Sequence, residues 1–346
     1  MSLVNVHTEW DPLEEIIVGT MAGARIPRRD VGLHAVEYAD FDDPADIPSG
    51  PFPEGVVEET EAELELLCEE LEKGGITVRR PTPRDLGATI STPDWQTDGF
   101  YDYCPRDGVL TIGRTIIETP MVLRSRFLEG FAYKDLFLEY FESGARWLSA
   151  PKPRLPDEIY DRSAPAGERL RNLEPAFDAA NILRFGTDIL YLVSDSGNDL
   201  GHRWLQSVLG DEYTVHPCRG LYASTHVDST IVPLRPGLLL VNPSRVDDDN
   251  LPPFLKSWDQ VRCPDLVDVG FTGARPYCSV WIGMNLLVAG PGLVVADRRQ
   301  PALIKELEKH GVEVIPMQLT HSRTLGGGFH CATLDVRRTG TLQTYR

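Results

Sequence analysis

An α/β fold assembled from strand–helix–strand units is what this sequence predicts, and three observations carry the prediction. Short runs of β-branched and apolar residues recur at 15–19, 108–113, 188–194, 237–242 and Leu293–Asp297. Several of them lead into a segment whose apolar residues lie three and four apart, the spacing of one helix face. Glycine then ends that segment, and a second apolar run follows. Strands alternating with helices in this way indicate α/β or α+β architecture. About five such units can close into a ring of blades, a repeat architecture, while a doubly wound sheet satisfies the same pattern.

Taken in order, the first run is followed by 56–73, where Leu64, Leu67, Cys68 and Leu71 share one face. Gly74 and Gly75 terminate this helix, and 76–78 returns as a strand. The scheme repeats less clearly at 191–193, 202–209 and 213–216. The last unit opens with the strand at 293–296. Its helix has Pro301 near the start and Leu303, Ile304 and Leu307 inward, and Gly311 closes it before 312–315. Two segments, 21–55 and 148–175, read as long irregular insertions, and loops of that length in a compact protein are often functional. No shift of composition divides the chain, so residues 1–346 are expected to form a single domain.

Composition narrows the function. The chain has 34 Lys plus Arg against 52 Asp plus Glu, a formal net charge of −18, which disfavours nucleic acid and anionic membrane surfaces. No run approaches the ~20 apolar residues of a membrane span, and the first residues lack the basic and apolar regions of a signal peptide. Six scattered cysteines without a CxxC pair indicate neither a disulfide scaffold nor a zinc site. The expected compartment is the cytoplasm. Nucleotide binding has no motif support, since no GxGxxG follows the first strand and no GxxxxGK[ST] occurs.

The densest cluster of chemically useful residues is 325–343, where Gly326, Gly327 and Gly328 precede Phe329, His330 and Cys331. A thiol beside a glycine-rich turn can be held exposed, with backbone N–H groups lowering its pKa. The competing reading is a buried cysteine opening a strand at 331–336. A nucleophilic thiol needs a base and an orienting group. His226 stands in Ser-Thr-His-Val-Asp, and strand alternation would put His226 and Asp228 on one face. His7, His310 and His321 occupy turn-like or helix-end contexts and read as surface residues. Asp178 and Asp107 stand among small or apolar neighbours, where a carboxylate needs a partner. Asp178 can orient His226 or cap the element before Asn181; Asp107 can equally be a turn residue. A thiol, a histidine and several acids without metal-ligand spacing suit a planar cationic electrophile such as guanidinium, which carboxylates bind in forked pairs.

The blocks EWDPLEEIIVG (9–19), CPRDGVLTIG (104–113), RSRFLEG (124–130), FDAANILR (177–184), HVD (226–228), NPSR (242–245) and LGGGFHCATLDVRRTGTLQ (325–343) resemble the amidinotransferase family. These are the arginine:glycine enzymes of creatine synthesis and their relatives in antibiotic biosynthesis. The resemblance implies the pentein fold, an α/β propeller of five ββαβ-type blades with pseudo-fivefold symmetry, and no metal or organic cofactor. It implies Cys331 as nucleophile on the guanidino carbon of L-arginine, His226 as general acid then base, and Asp178 as its orienting partner. Asp107 and Asp228 would hold the guanidinium, and Arg245 and Ser279 the arginine carboxylate. The expected intermediate is an amidino-cysteine, resolved by an amine in ping-pong fashion.

Residues 21–55 and 221–225 diverge from the glycine enzymes, which favours an aminocyclitol phosphate of streptomycin-type biosynthesis as acceptor. Arg124, Arg126 and Lys134 are its candidate phosphate contacts by composition. The alternatives are an acceptor such as glycine, or hydrolysis to citrulline as in arginine deiminases. A non-catalytic binding member of the fold would lack the thiol or the imidazole, and both are present. A homodimer is compatible with the family.

Overall fold

The structure, a computed structural model, describes residues 2–345. Five three-stranded sheets share one wiring plan. In each, two strands pair antiparallel and the second pairs parallel with a third. Four of them are continuous in sequence: Val109–Ile112, Thr115–Glu118 and Arg146–Ser149; Ile182–Phe185, Asp188–Leu192 and Thr214–Cys218; Ile231–Arg235, Leu238–Val241 and Asp259–Arg262; and Leu287–Gly290, Leu293–Asp297 and Glu313–Met317. The remaining sheet joins the two ends of the chain, with Leu13–Val18 between the C-terminal strand Thr333–Arg338 and Thr77–Arg79.

A parallel pair needs a crossover, and α-helices supply it in four units: Glu54–Lys73, Lys134–Glu142, Asp199–Leu209 and Pro301–Lys309. In the remaining unit, between Leu238–Val241 and Asp259–Arg262, the connection carries only the 3-10 turn Pro253–Leu255. The helix read at 56–73 thus begins two residues earlier, and it buries Leu64, Leu67, Cys68 and Leu71 as its spacing requires. Gly75, at φ 81°, ends it.

The first and second strands of the sheets are buried almost throughout, whereas Arg146–Ser149 and Asp259–Arg262 are largely open to solvent. Strands covered on both faces read as continuous apolar runs. That is why the central strands stand out in the sequence, while of the outer strands Arg146–Ser149 and Asp259–Arg262 do not.

Both insertions have structure. Residues 21–55 form the ribbon Arg25–Ile26 with Gly50–Pro51 and the short helix Val31–Val36, whose start Asp30 caps by accepting from the Leu33 N–H. The 148–175 segment packs behind that helix, and Leu33, Val36, Ile159, Tyr160 and Leu170 share one apolar cluster. A side chain at Gly32 would lie 2.7 Å from the Tyr160 ring, so this contact requires glycine.

The interior also holds a charge network. Arg184 is bonded to Glu9 (2.7 Å) and Asp335 (2.9 Å), and Arg106 and Arg338 also pair with Asp335. All five side chains are buried. Removing one member of such a network leaves a buried charge uncompensated, a cost of about 3–5 kcal/mol.

Candidate active site

The shared wiring explains how distant residues meet. The segment entering the first strand of each sheet brings a polar side chain to the site shortly before the strand begins: Cys331 before Thr333, Asp107 before Val109, Asp178 before Ile182, Asp228 before Ile231 and Asn285 before Leu287. All five are buried, and they sit around His226 and the Cys331 sulfur.

His226 is held by two of them. Its Nε2 lies 3.1 Å from Asp178 Oδ2 and its Nδ1 3.6 Å from Asp107 Oδ1. Asp178 is oriented in turn by the Val122 N–H, which donates to Oδ1 at 3.1 Å. Burial alone would lower the imidazole pKa. The carboxylates of Asp107, Asp178 and Asp228 outweigh it and raise the pKa to about 10, so His226 is an imidazolium at neutral pH. The expected strand at this position is absent. Residues 226–228 lie in a loop, and His226 takes a left-handed backbone at φ 67°. The Ser196 hydroxyl accepts from its N–H at 3.2 Å. His226 and Asp228 therefore reach one cavity through loop geometry rather than strand alternation.

Cys331 departs from expectation in two ways. It lies in the turn before the strand, which starts at Thr333, and it is only 2% exposed. Its thiol pKa is pushed well above the ordinary value by contact with the Cys104 thiol, by burial and by the neighbouring Asp228 carboxylate. The thiol is therefore neutral when the site is empty of substrate. Its S–H donates to Asp228 Oδ2 at 3.1 Å, and the Asn285 amide donates to the sulfur at 3.2 Å. Although buried, Asp228 is held well below the usual carboxylate range by His330, His226 and the Cys331 thiol. His330 Nδ1 lies 2.9 Å from Asp228 Oδ2, and Nε2 lies 3.6 Å from Glu9, so the interior charge network reaches the nucleophile's partner.

A cavity of about 300 Å³ opens onto this group, and His226, Asp228, Arg245, Ser279 and Cys331 line it. Asp107 and Asp178 stand behind His226. Asp107 Oδ1 is buried without a hydrogen-bond partner, whereas Oδ2 accepts from Arg126 Nη1 at 2.7 Å. An unsatisfied carboxylate oxygen directed at an imidazolium leaves room for a further N–H donor. Arg245 stacks on the Tyr222 ring at 3.6 Å and donates to the Thr230 hydroxyl at 3.0 Å. Among the described residues it has no carboxylate within ion-pair distance, so it is available to an anion.

The composition-based phosphate contacts are overturned. Arg124 donates to the Leu155 carbonyl and Asp157, Arg126 is forked onto Glu129 and bound to Asp107, and Lys134 is held by Glu118. None of the three lines the cavity. Sequence reading also missed Asn285, for which Gly-Met-Asn at 283–285 gives no signal, and His330, which stood in the glycine block without an assigned part. Glu37 and Arg275 on the cavity wall were missed as well.

No family model matches the chain. Relatives do. Over 347 residues, all of both chains, it is 72% identical to inosamine-phosphate amidinotransferase 1 of Streptomyces glaucescens. It is 38% identical to the L-arginine:L-lysine amidinotransferase of Pseudomonas savastanoi pv. phaseolicola, covering 98% of this chain and 95% of the relative. Among solved structures, inosamine-phosphate amidinotransferase from Streptomyces griseus superposes with TM-score 0.99 at 71% identity, covering 100% of this chain and 99% of the other. A DDAH from Pseudomonas aeruginosa matches at TM-score 0.61 and 14% identity, over 94% and 99% of the two chains, a likeness of fold alone. The fold is the pentein α/β fold, and the chain belongs to the amidinotransferase family and is an enzyme that transfers amidino groups.

Proposed function

We propose that this enzyme moves the amidino group of L-arginine to an inosamine phosphate, scyllo-inosamine 4-phosphate, in streptomycin-type aminoglycoside biosynthesis. In this reading the five sheets are the blades of a single-domain propeller with pseudo-fivefold symmetry. The observation that carries the proposal is one cavity lined at once by a buried thiol, an imidazolium and an arginine without a carboxylate partner.

Arg245 and Ser279 take the arginine carboxylate. The guanidinium enters between Asp228 and the unsatisfied Asp107 oxygen, and its positive charge offsets the repulsion that keeps the thiol neutral. Asp228 is the thiol's hydrogen-bond acceptor, and the sulfur attacks the guanidino carbon as the S–H proton passes to Asp228, which returns it to the sulfur when the C–S bond breaks in the second half-reaction. A C–S bond forms and the bond from that carbon to the ornithine nitrogen breaks. His226 gives its Nδ1 proton to the departing amine, and Asp178 steadies the ring. The acceptor amine then attacks the amidino carbon and gives its proton to His226, and the C–S bond breaks.

The acceptor comes in beside Glu37 and Arg275, on the wall built by the divergent 21–55 segment. Arg275 pairs there with the exposed Asp40, and its Nε is buried without a partner. An exposed pair of this kind is weak, so a phosphate can take Asp40's place.

Intact-protein mass spectrometry after brief incubation with L-arginine alone tests the reading. The expected result is a gain of one amidino group, absent in Cys331→Ala and discharged by the inosamine phosphate. Citrulline without a stable adduct would show hydrolysis instead. Discharge by glycine but not by the inosamine phosphate would refute the acceptor.

A further inference from the structure

The glycine run at 326–328 and Asn285 are not accounted for by the steps above, and the structure joins them. A Cβ at Gly328 would lie 2.8 Å from the Asn285 side chain, and one at Gly327 would lie 2.7 Å from the Cys104 sulfur. Glycine at these positions lets the nucleophile's turn close onto Asn285. That turn is then held by main-chain bonds: the Asn285 carbonyl accepts from the Phe329 N–H at 3.0 Å. Asn285 Oδ1 accepts from the N–H groups of both His330 and Cys331 at 3.1 Å.

Those two donors settle which end of the amide is which. With Oδ1 fixed by two N–H groups, the NH2 must face the sulfur, and Nδ2 lies 3.2 Å from Cys331 Sγ. The sulfur's other polar neighbours are the Asp228 carboxylate, at 3.1 Å, and the Cys104 thiol. Both oppose negative charge on sulfur. Among the described residues Asn285 supplies the one neutral N–H directed at it. Asn285 also occupies, in the fifth sheet unit, the place held by Cys331, Asp107, Asp178 and Asp228 in the other four.

We infer that Asn285 is a catalytic residue whose amide N–H stabilises the Cys331 thiolate, both as it attacks the guanidino carbon and as it leaves the amidino carbon. This rests on the amidino-cysteine reading. In the second half-reaction the acceptor nitrogen forms its bond to the amidino carbon and passes a proton to His226. The C–S electron pair returns to sulfur, where the Asn285 N–H receives it. A hydrogen bond from a neutral donor to a charged acceptor is among the stronger kind, so its loss should be measurable.

The test uses Asn285→Asp, which keeps an acceptor for the two main-chain N–H groups but removes the donor, and Asn285→Ala, which removes both and adds no charge. Alkylation of Cys331 by iodoacetamide is followed against pH without substrate, and amidination by arginine in a single turnover. For both variants the alkylation profile should move to higher pH by about one unit or more, and amidination should slow by roughly 10- to 100-fold, with arginine affinity changed less than about threefold. Rescue of Asn285→Asp to the wild-type alkylation profile would make Asn285 a brace for the turn and overturn the inference. Should the charged variant fail to fold, a wild-type profile in Asn285→Ala would do the same. The alkylation arm needs no arginine. Failure of wild-type protein to form an adduct therefore counts against the amidino-cysteine reading, and an unmoved alkylation profile counts against Asn285.

Discussion

Replacing Asp178 by Asn tests the site most sharply, because the surroundings dictate how the new amide must sit. The Val122 N–H donates to Asp178 Oδ1, so an asparagine would keep its oxygen there and turn its NH2 toward His226 Nε2. A donor would then face a donor, and the imidazolium would lose its nearest anion. The rise of His226 from 6.5 to about 10 corresponds to a net preference of about 5 kcal/mol for the charged ring, left after three carboxylates have overcome the opposing penalty of burial. Losing one, and setting an N–H dipole against the ring, should bring the pKa down by about 2 units or more.

His226 must carry a proton to expel ornithine, so amidination falls as pH rises through its pKa. In single-turnover amidination followed by mass spectrometry, Asp178→Asn should shift this alkaline limb to lower pH and slow the reaction by about 10³-fold or more at neutral pH. Stability should follow the same group. A raised histidine pKa stabilises the fold fully below pH 6.5, and that contribution is lost as pH rises through about 10. Thermal unfolding of the wild type should therefore show a fall across this window that is reduced in the variant. An alkaline limb left in place, with a rate loss under about tenfold, would refute the assignment of Asp178 as the partner of the imidazolium.

Other changes separate binding, chemistry and scaffold. Cys331→Ser should abolish the amidino adduct while near-ultraviolet circular dichroism stays as in the wild type; a retained adduct would place the nucleophile elsewhere. Arg245→Ala should raise KM for arginine by roughly tenfold or more with kcat little changed, as loss of a uniform binding contact does, and steady-state kinetics read it directly. Arg126→Met leaves Asp107 and Glu129 buried without their cation, and urea unfolding should show a loss of about 3–5 kcal/mol.

Much of this was legible in the chain because it is local. Apolar runs marked the buried strands such as Asp188–Leu192 and Leu238–Val241, and glycines marked the ends of helices. Type and spacing singled out Cys331, His226 and the acids. Two of the outer strands were not legible, since Arg146–Ser149 and Asp259–Arg262 mix polar with apolar residues and are partly open to water. Nor was the His226 loop. A left-handed backbone at a histidine is sustained by contacts such as that from Ser196, thirty positions away.

The same division holds for the chemistry. Sequence alone determined the residue types, their order and the family they resemble, because those properties are carried by the chain itself. It could not assign charge states. A thiol next to glycines reads as exposed and acidic, yet Cys331 is buried beside a carboxylate and is neutral at rest. Arg124, Arg126 and Lys134 read as free cations until folding brings Asp157, Glu129 and Glu118 against them. Ionisation is set by burial and by charges a few ångströms away in space, and those neighbours exist only once the five sheet units have assembled.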